Sequence, residues 1–321
     1  MLKLNVSTYH THYNSKSIAI IMCTKDGAAF IEEQLDSILK QTHKNMHIYI
    51  SDNSSNDQTA ALIQKFIKKN NHLKVYLAKG ENKHFANNFI ELAQSIERNY
   101  DYYAFCDQDD VWDSSHLLRA IKKIEDKNIN VPSLHCSRTN LVNEKGFNIG
   151  KSKLFNKKPS FNNALVQSIA GGNTMVFNNQ AVVLLRGIKS NKYYIPSHDW
   201  MLYLLVSGCG GYVFYEKKPT VNYRQHSNNT IGSNLGIVNT FKRINLILNG
   251  AWSNWLDANY QILKNCSVLT EENLFSLENF HKLRKVDNVF IRIKRYLQSS
   301  IYRQTFFGSI SILIALVIKK L

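Results

Sequence analysis

Tyr102-Tyr103-Ala104-Phe105-Cys106-Asp107-Gln108-Asp109-Asp110 is a run of five apolar or aromatic residues that ends in four polar ones, three of them carboxylates. Such a run lacks the polar alternation of a half-exposed strand and reads as a strand buried on both faces. Carboxylates crowded at its end repel one another unless a cation neutralises them. Hard cations such as Mg²⁺ take carboxylate oxygens together with substrate phosphates. An acidic DxD alone is also a common solvated loop or helix start, with Asp110 favouring the helix dipole. Its meaning therefore depends on what surrounds it.

Working outward, residues 18–23 form a second continuous apolar run, followed by the turn Lys25-Asp26-Gly27. Ile31, Leu35, Ile38 and Leu39 then recur at helical spacing. Residues 48–50 read as a strand, and Ser54, Ser55 and Asn56 offer N-caps to a helix carrying Leu62, Ile63, Phe66 and Ile67. A strand at 75–77 and a helix over 85–96 lead back to the strand that ends at Asp107. This alternation predicts a mostly parallel sheet with helices on both faces, an α/β fold. Ligands bind such sheets at the carboxyl ends of the strands, where Asp52 and Asp107 both fall. Further strands are predicted near Leu134 and over 174–177, 212–215 and 221–223, with helices over 180–185 and 198–205. From residue 231 the chain reads as helical to its end.

Composition narrows the class. The 321 residues are 44% hydrophobic, enough for a sizeable core, and only 4 Pro and 14 Gly argue against a linker or low-complexity chain. The cysteines Cys23, Cys106, Cys136, Cys209 and Cys266 are widely spaced and form no CxxC pair, which disfavours a disulfide framework or a zinc ribbon. Residues 1–16 are polar without an apolar core segment, so no signal peptide is expected and a cytoplasmic setting is. The net charge of +16 points to anionic partners.

The segments around the acidic cluster carry a resemblance. They are Cys23-Thr24-Lys25-Asp26-Gly27, Glu32 through Thr42, Ser51-Asp52-Asn53-Ser54-Ser55-Asn56-Asp57, Phe105 through Trp112, His198-Asp199-Trp200 and Tyr223-Arg224-Gln225-His226. In this order the chain resembles the bacterial family-2 glycosyltransferases, in the rhamnosyltransferase-like branch, over about residues 17–233. The resemblance implies a GT-A nucleotide-diphospho-sugar transferase fold at 17–235. A flexible N-terminus at 1–16 would precede it, and a helical, basic region at 236–321 would follow.

It also implies an inverting hexosyl transfer, first of rhamnose from dTDP-rhamnose, to a polyprenyl-diphosphate-linked glycan in surface polysaccharide (O-antigen or capsule) synthesis. Asp52 is implied at the nucleoside, Asp107 and Asp109 at metal and diphosphate, and Asp199 as general base. The segment ending at His226 would close over the diphosphate, with His226 at metal or phosphate. The donor-binding set so expected is Thr24, Asp52, Asn53, Asn88, Asp107 and Arg224. The metal set is Asp109, Asp107 and His226, for Mg²⁺ or Mn²⁺. Two departures stand out. Lys25-Asp26 replaces a frequent Tyr-Asn, and Asp52-Asn53 replaces Asp-Asp, although Asn53 still offers a donor and an acceptor to a pyrimidine edge.

The chemistry wants these groups. Charge grows on a diphosphate leaving group, which a divalent ion stabilises, and an acceptor hydroxyl needs a positioned base. Asp199 could instead merely cap its helix, His226 could be solvated, and Asn88 could cap a helix or face solvent. Arg224 favours a phosphate site because a guanidinium matches phosphate oxygens. Ala170-Gly171-Gly172-Asn173-Thr174 is a turn whose glycines would permit close approach of an acceptor or simply make the bend. A metal-dependent phosphohydrolase and a non-catalytic carbohydrate-binding protein are the competing classes. No GxGxxG follows the first strand, which disfavours a dinucleotide-binding dehydrogenase.

The basic residues Lys282, Arg284, Lys285, Arg292, Lys294, Arg295, Arg303, Lys319 and Lys320 face a single acid, Asp287, after residue 281. That charge borders a nearly all-apolar stretch at 306–318, too short to span a bilayer. An interfacial helix on an anionic membrane surface is expected, peripheral on the inner face of the plasma membrane. This placement disfavours nucleic acid as the anionic partner.

Overall fold

The structure, a computed structural model, describes residues 13–127, 130–226 and 245–321. At its centre lies β1 (Ile18–Thr24), parallel to β2 (Met46–Asp52) on one side and β4 (Tyr102–Cys106) on the other. Alternate side chains of a strand point to opposite faces, and here both faces are covered. Ile18, Ile20 and Met22 share a core with α1 (Ile31–Leu39), α2 (Thr59–Lys69) and α4 (His116–Glu125). Ala19 and Ile21 pack with α3 (Phe85–Ser95), α6 (Asn179–Arg186) and α7 (His198–Gly208). This double burial is why residues 18–23 carry no polar alternation. Ile20 and Ile21 have no exposed surface, and truncating either to alanine is expected to cost about 2–5 kcal/mol.

With β3 (Lys74–Lys79), β6 (Ser133–Ser137), β9 (Val176–Asn178) and β10 (Tyr212–Glu216), the main sheet has seven strands in the order β10-β6-β9-β4-β1-β2-β3. All pairs are parallel except those made by β9, which runs against both β4 and β6. The start of β9 therefore lies beside the carboxyl ends of its neighbours. A second sheet of four short strands has the order β5 (Val111–Trp112), β11 (Val221–Arg224), β7 (Asn140–Val142) and β8 (Asn148–Lys151).

Several local expectations need correction. Ser54, Ser55 and Asn56 do not cap α2: its N-cap position is Gln58, without a side-chain cap bond, and Asp57, one residue before it, accepts Thr59 N at 2.9 Å. Ser55 turns back to Asp52 instead. The strand expected at 174–177 begins at Val176, because Gly172–Thr174 is a single 3-10 turn. Helix α4 and the strands β5, β7 and β8 of the second sheet had no counterpart in the sequence reading, whereas β11 matches the strand expected at 221–223. The helical expectation holds from 251 onward, while 231–244 and the 235/236 boundary lie outside the described residues.

The C-terminal region comprises α8 (Ala251–Leu263), α9 (Glu271–Lys285), α10 (Val289–Gln298) and α11 (Phe306–Val317). Trp252, Leu263, Phe280, Tyr296 and Leu316 join the same buried cluster as α7 and the four-residue α5 (Phe161–Ala164). These helices extend the core of the sheet rather than forming a separate one. Of the nine basic residues noted there, Arg284 and Arg292 are buried, Arg284 against Asp257 at 2.9 Å. All five cysteines are free, as expected.

Candidate active site

Four segments end at one edge of the sheet. Thr24 closes β1 and Asp52 closes β2, and Thr24 Oγ1 donates to Asp52 Oδ1 at 3.0 Å. Ser55 adds its hydroxyl at 2.5 Å and its N–H at 3.2 Å to the same carboxylate. Asp52 is thereby fixed in one orientation at the strand end. Asn53 has both amide atoms engaged by the main chain of Lys83, at 2.9 and 3.2 Å. The hydrogen bonds once offered to a pyrimidine are made within the protein. Gly80 passes so close that a Cβ there would lie 2.7 Å from Ser51 Oγ and 3.2 Å from Asp52 O. Asn88 is neither a cap nor exposed. It is buried within α3, accepts Ser51 Oγ at 3.0 Å, and its Nδ2 has no partner among the described residues. An orphaned donor at that depth is costly unless a ligand or water meets it.

The acidic loop follows β4. Gln108 clamps it to the loop after β1, accepting Lys25 N at 2.8 Å and donating to Lys25 O at 2.9 Å. A Cβ on Gly27 would overlap the Gln108 amide, which is why that turn holds glycine. The three carboxylates then part company. Asp110 is fully buried, takes N–H donors from Arg224 at 3.0 Å and from Asn173 Nδ2, and has its pKa pushed well up by burial and by Asp109 and Asp107. It is a structural group, not a helix cap. Asp109 Oδ2 meets His226 Nε2 at 2.6 Å. Asp107 is pushed up to about 8 by burial, then by the charges of Asp109 and Asp199.

That last effect brings Asp199 into the same site. Asp199 stands in the first turn of α7 and accepts from Ser197 Oγ, from Trp200 N at 2.5 Å and from the Gly172 backbone. Burial lifts its pKa to about 6 against those donors. The N-cap position is Ser197, so Asp199 is not the cap of the alternative reading but a carboxylate inside the first turn. Behind it, His198 is buried, stacked on Phe89 at 4.0 Å, and held neutral with its pKa lowered to about 3 by desolvation and by His84. A Cβ on Gly172 would overlap His198 Nε2, so the Gly171-Gly172 bend is required by close packing beside Asp199.

Arg224 is not placed as an open phosphate ligand. It is 1% exposed, bonds Asp109 O at 2.9 Å and Glu144 O at 2.7 Å, pairs with Glu33, and lies over the Phe30 ring. It holds the acidic loop from behind. His226 packs against the same ring, 5.0 Å between centroids. Sequence reasoning missed Gln108, Glu33 and Asn173 as supports. Glu33 and Gln108 lie inside the quoted motifs, but nothing local marks what they touch.

The donor chemistry suits a hard divalent cation. Among the described residues no three His, Cys, Asp or Glu side chains converge to make a protein-only cage. Two carboxylates of one loop, Asp107 and Asp109, match an ion that completes its shell with substrate phosphates and water.

The sequence profile of the family described as Glycosyl transferase family 2 matches residues 19–183, just over half the chain. The chain belongs to glycosyl transferase family 2. It is 27% identical over 287 residues to the dTDP-rhamnosyl transferase RfbG of Shigella flexneri, covering 84% of this chain and 97% of that protein. It is 24% identical over 226 residues to an uncharacterized glycosyltransferase of Haemophilus influenzae, 68% of each. Among solved structures it is similar to residues 1–349 of S. aureus TarS in complex with UDP, at a TM-score of 0.52 and 15% identity, covering 84% of this chain and 71% of that one. That likeness bears out the expected GT-A fold, and the family makes the protein a nucleotide-sugar glycosyltransferase.

Proposed function

We propose that this family-2 enzyme is an inverting hexosyltransferase that moves rhamnose from dTDP-rhamnose to a polyprenyl-diphosphate-linked glycan. The product would serve bacterial O-antigen or capsule synthesis at the inner face of the plasma membrane. The observation that supports the reading is that Asp199 is near enough to raise the pKa of Asp107, whose loop follows β4 beside the carboxyl ends of β1 and β2. The rhamnosyl donor is supported by likeness to RfbG along most of both chains. The lipid-linked acceptor is supported by the basic, apolar C-terminal region.

In this mechanism Asp52, with Thr24 and Ser55 behind it, receives the nucleoside, and the orphaned Asn88 Nδ2 meets the donor nearby. Asp109 and Asp107 would hold Mg²⁺ or Mn²⁺, which offsets charge growing on the leaving diphosphate. His226 aims Asp109, and Arg224 fixes the loop that carries it. Asp199 takes the proton of the acceptor hydroxyl as that oxygen attacks the anomeric carbon from the face opposite the diphosphate, inverting the centre. With a pKa near 6 it is ionised at neutral pH and more basic than a solvated aspartate.

The test is thermal stabilisation of the purified protein by a panel of nucleotide sugars, with and without Mg²⁺ or Mn²⁺, followed by transfer to lipid-linked acceptors. Metal-dependent stabilisation by dTDP-rhamnose and an inverted product support the proposal. A response to another donor alone would refute the rhamnosyl assignment, and rapid hydrolysis without acceptor would refute transfer.

A further inference from the structure

Helix α11 is apolar almost all round, yet only part of it is covered. Ile312, Ala315 and Leu316 face the protein core. Phe306 (73% exposed), Phe307 (81%), Ile314, Val317 and Ile318 lie on the opposite side. Phe306 and Phe307 in the first turn and Ile314, Val317 and Ile318 two turns on fall on one side, with half-buried Ile310 between them. Helix α10 packs against α11 and exposes Phe290 (79%), Ile291 and Leu297. Lys319 pairs with Asp287 at 2.5 Å, tying the end of α11 to the start of α10. Exposed Lys294 and Arg295 interleave with the apolar residues of α10, and Lys319-Lys320 end α11. Contiguous apolar surface of this kind on a monomer marks an interaction site.

We infer that the paired faces of α10 and α11 form an in-plane docking surface for an anionic lipid bilayer. The length argues against insertion along the axis. Twelve helical residues span about 18 Å, well short of the roughly 30 Å hydrocarbon core. No described helix is long and apolar enough to cross a membrane. The charge argues for lipid over a second copy of this chain, since the basic residues beside the apolar stripe would face their own kind across a two-fold interface. On a bilayer the apolar side chains reach the acyl boundary while lysines and arginines stay at the headgroups.

The surface is also tied to the enzyme body. The linker between the two helices is held by Gln304, which accepts Lys157 N at 3.1 Å and donates to Asn163 Oδ1 at 3.3 Å. Asn163 in turn accepts Tyr203 OH of α7, the helix that carries Asp199. The docking face therefore rides on the catalytic fold through one buried polar chain, and α11 cannot leave the body without uncovering core. The inference deepens the membrane-side reading above and rests on it only for the acceptor.

The test is sedimentation of the full chain with vesicles, without donor or acceptor. Deleting 306–321 is unsuitable, because Leu316 and Leu321 are buried and the fold would suffer. Exposed-site variants avoid this. Wild type is expected to pellet with phosphatidylglycerol-containing vesicles and not with phosphatidylcholine alone, and added salt should weaken the binding. Phe290→Ser with Phe307→Ser should lower the partition at least ~10-fold at unchanged melting temperature. Lys294→Gln, Arg295→Gln and Lys320→Gln together should erase the preference for the anionic lipid. Wild type that stays in the supernatant, or a double serine variant that pellets undiminished, would overturn the inference. So would a wild-type dimer that the serine pair converts to monomer. Donor-induced thermal shifts, measured on the same samples, report separately on the transferase reading.

Discussion

Asp109 and His226 are 117 residues apart in sequence and in contact at 2.6 Å in space. The pairing closes the second sheet over the acidic loop, because His226 follows β11 and Asp109 precedes β5, the strand β11 pairs with. It means that the side chain proposed to hold a cation is itself held by a group on another segment. Asp109→Ala is expected to abolish metal-dependent donor binding and to cut transfer by about 100-fold or more. His226→Ala, which frees Asp109 to rotate, should weaken metal affinity by about 10-fold. Donor-induced melting shifts titrated with Mn²⁺ check both, and an unaltered metal midpoint in either variant would remove that residue from the site.

Asp199→Asn keeps the shape and one acceptor oxygen, enough for Ser197 Oγ and Trp200 N, but cannot take a proton. Donor binding should persist while transfer falls by about 10²–10⁴-fold. The wild-type rate should also fall below pH 6, because the base must be ionised and its pKa stands at about 6. That acid limb should be missing from the residual rate of the variant. Near-normal turnover by Asp199→Asn would exclude it as base.

Arg224→Lys tests whether the arginine acts through the loop. Lysine keeps the charge but cannot reach Asp109 O, Glu144 O and Glu33 together. A loss of about 2 kcal/mol in stability is expected. A rise in the metal requirement should accompany it, read by urea unfolding and by Mn²⁺ titration of the donor-induced shift. A phosphate ligand would raise the donor KM without moving the metal midpoint.

Gly172→Ala should destabilise the fold by about 1–3 kcal/mol, since its Cβ meets the ring of His198 with nowhere to go. Pairing it with His198→Ala should recover much of that loss by opening the space. Melting temperatures of the two single variants and the double variant measure the coupling.

Five buried histidines set an acid limit. His43, His47, His116, His135 and His198 all have pKa values lowered from 6.5, His116 and His198 to about 3, chiefly by desolvation. Between those values the unfolded chain binds the extra protons, so stability is full above pH 6.5 and falls as pH drops toward 3. Each histidine adds up to about 1.4 kcal/mol per pH unit to that slope. His198→Phe should flatten the dependence of the urea midpoint between pH 6.5 and 5, and an unchanged slope would refute this account.

The frame of the site was readable because it obeys local rules. Apolar runs at 18–23 and 102–106 are continuous since both faces of those strands are covered, and Asp52 and Asp107 follow from where such strands end. The supports were not readable. Arg224 looks the same in sequence whether it meets a phosphate or a carbonyl, and only the approach of Glu144 and Asp109 decides. Asp110 belongs to an acidic run by its neighbours but to the core by its contacts with Asn173 and Arg224. Strands β5, β7 and β8 are two to four residues long, too short for any periodicity to register.

Strand β9 has a consequence for how the chain is made. Among the described residues it is the one strand that joins β10-β6 to β4-β1-β2-β3, through three residues paired with β4, two of which also pair with β6. During synthesis the first four parallel strands, with Asp52 and Asp107, can assemble before β9 leaves the ribosome. Asp199 and His226 emerge only afterwards. Folding should therefore proceed by two blocks and a late docking step, with the proposed donor side formed early and the proposed base and metal support waiting on a junction three residues wide.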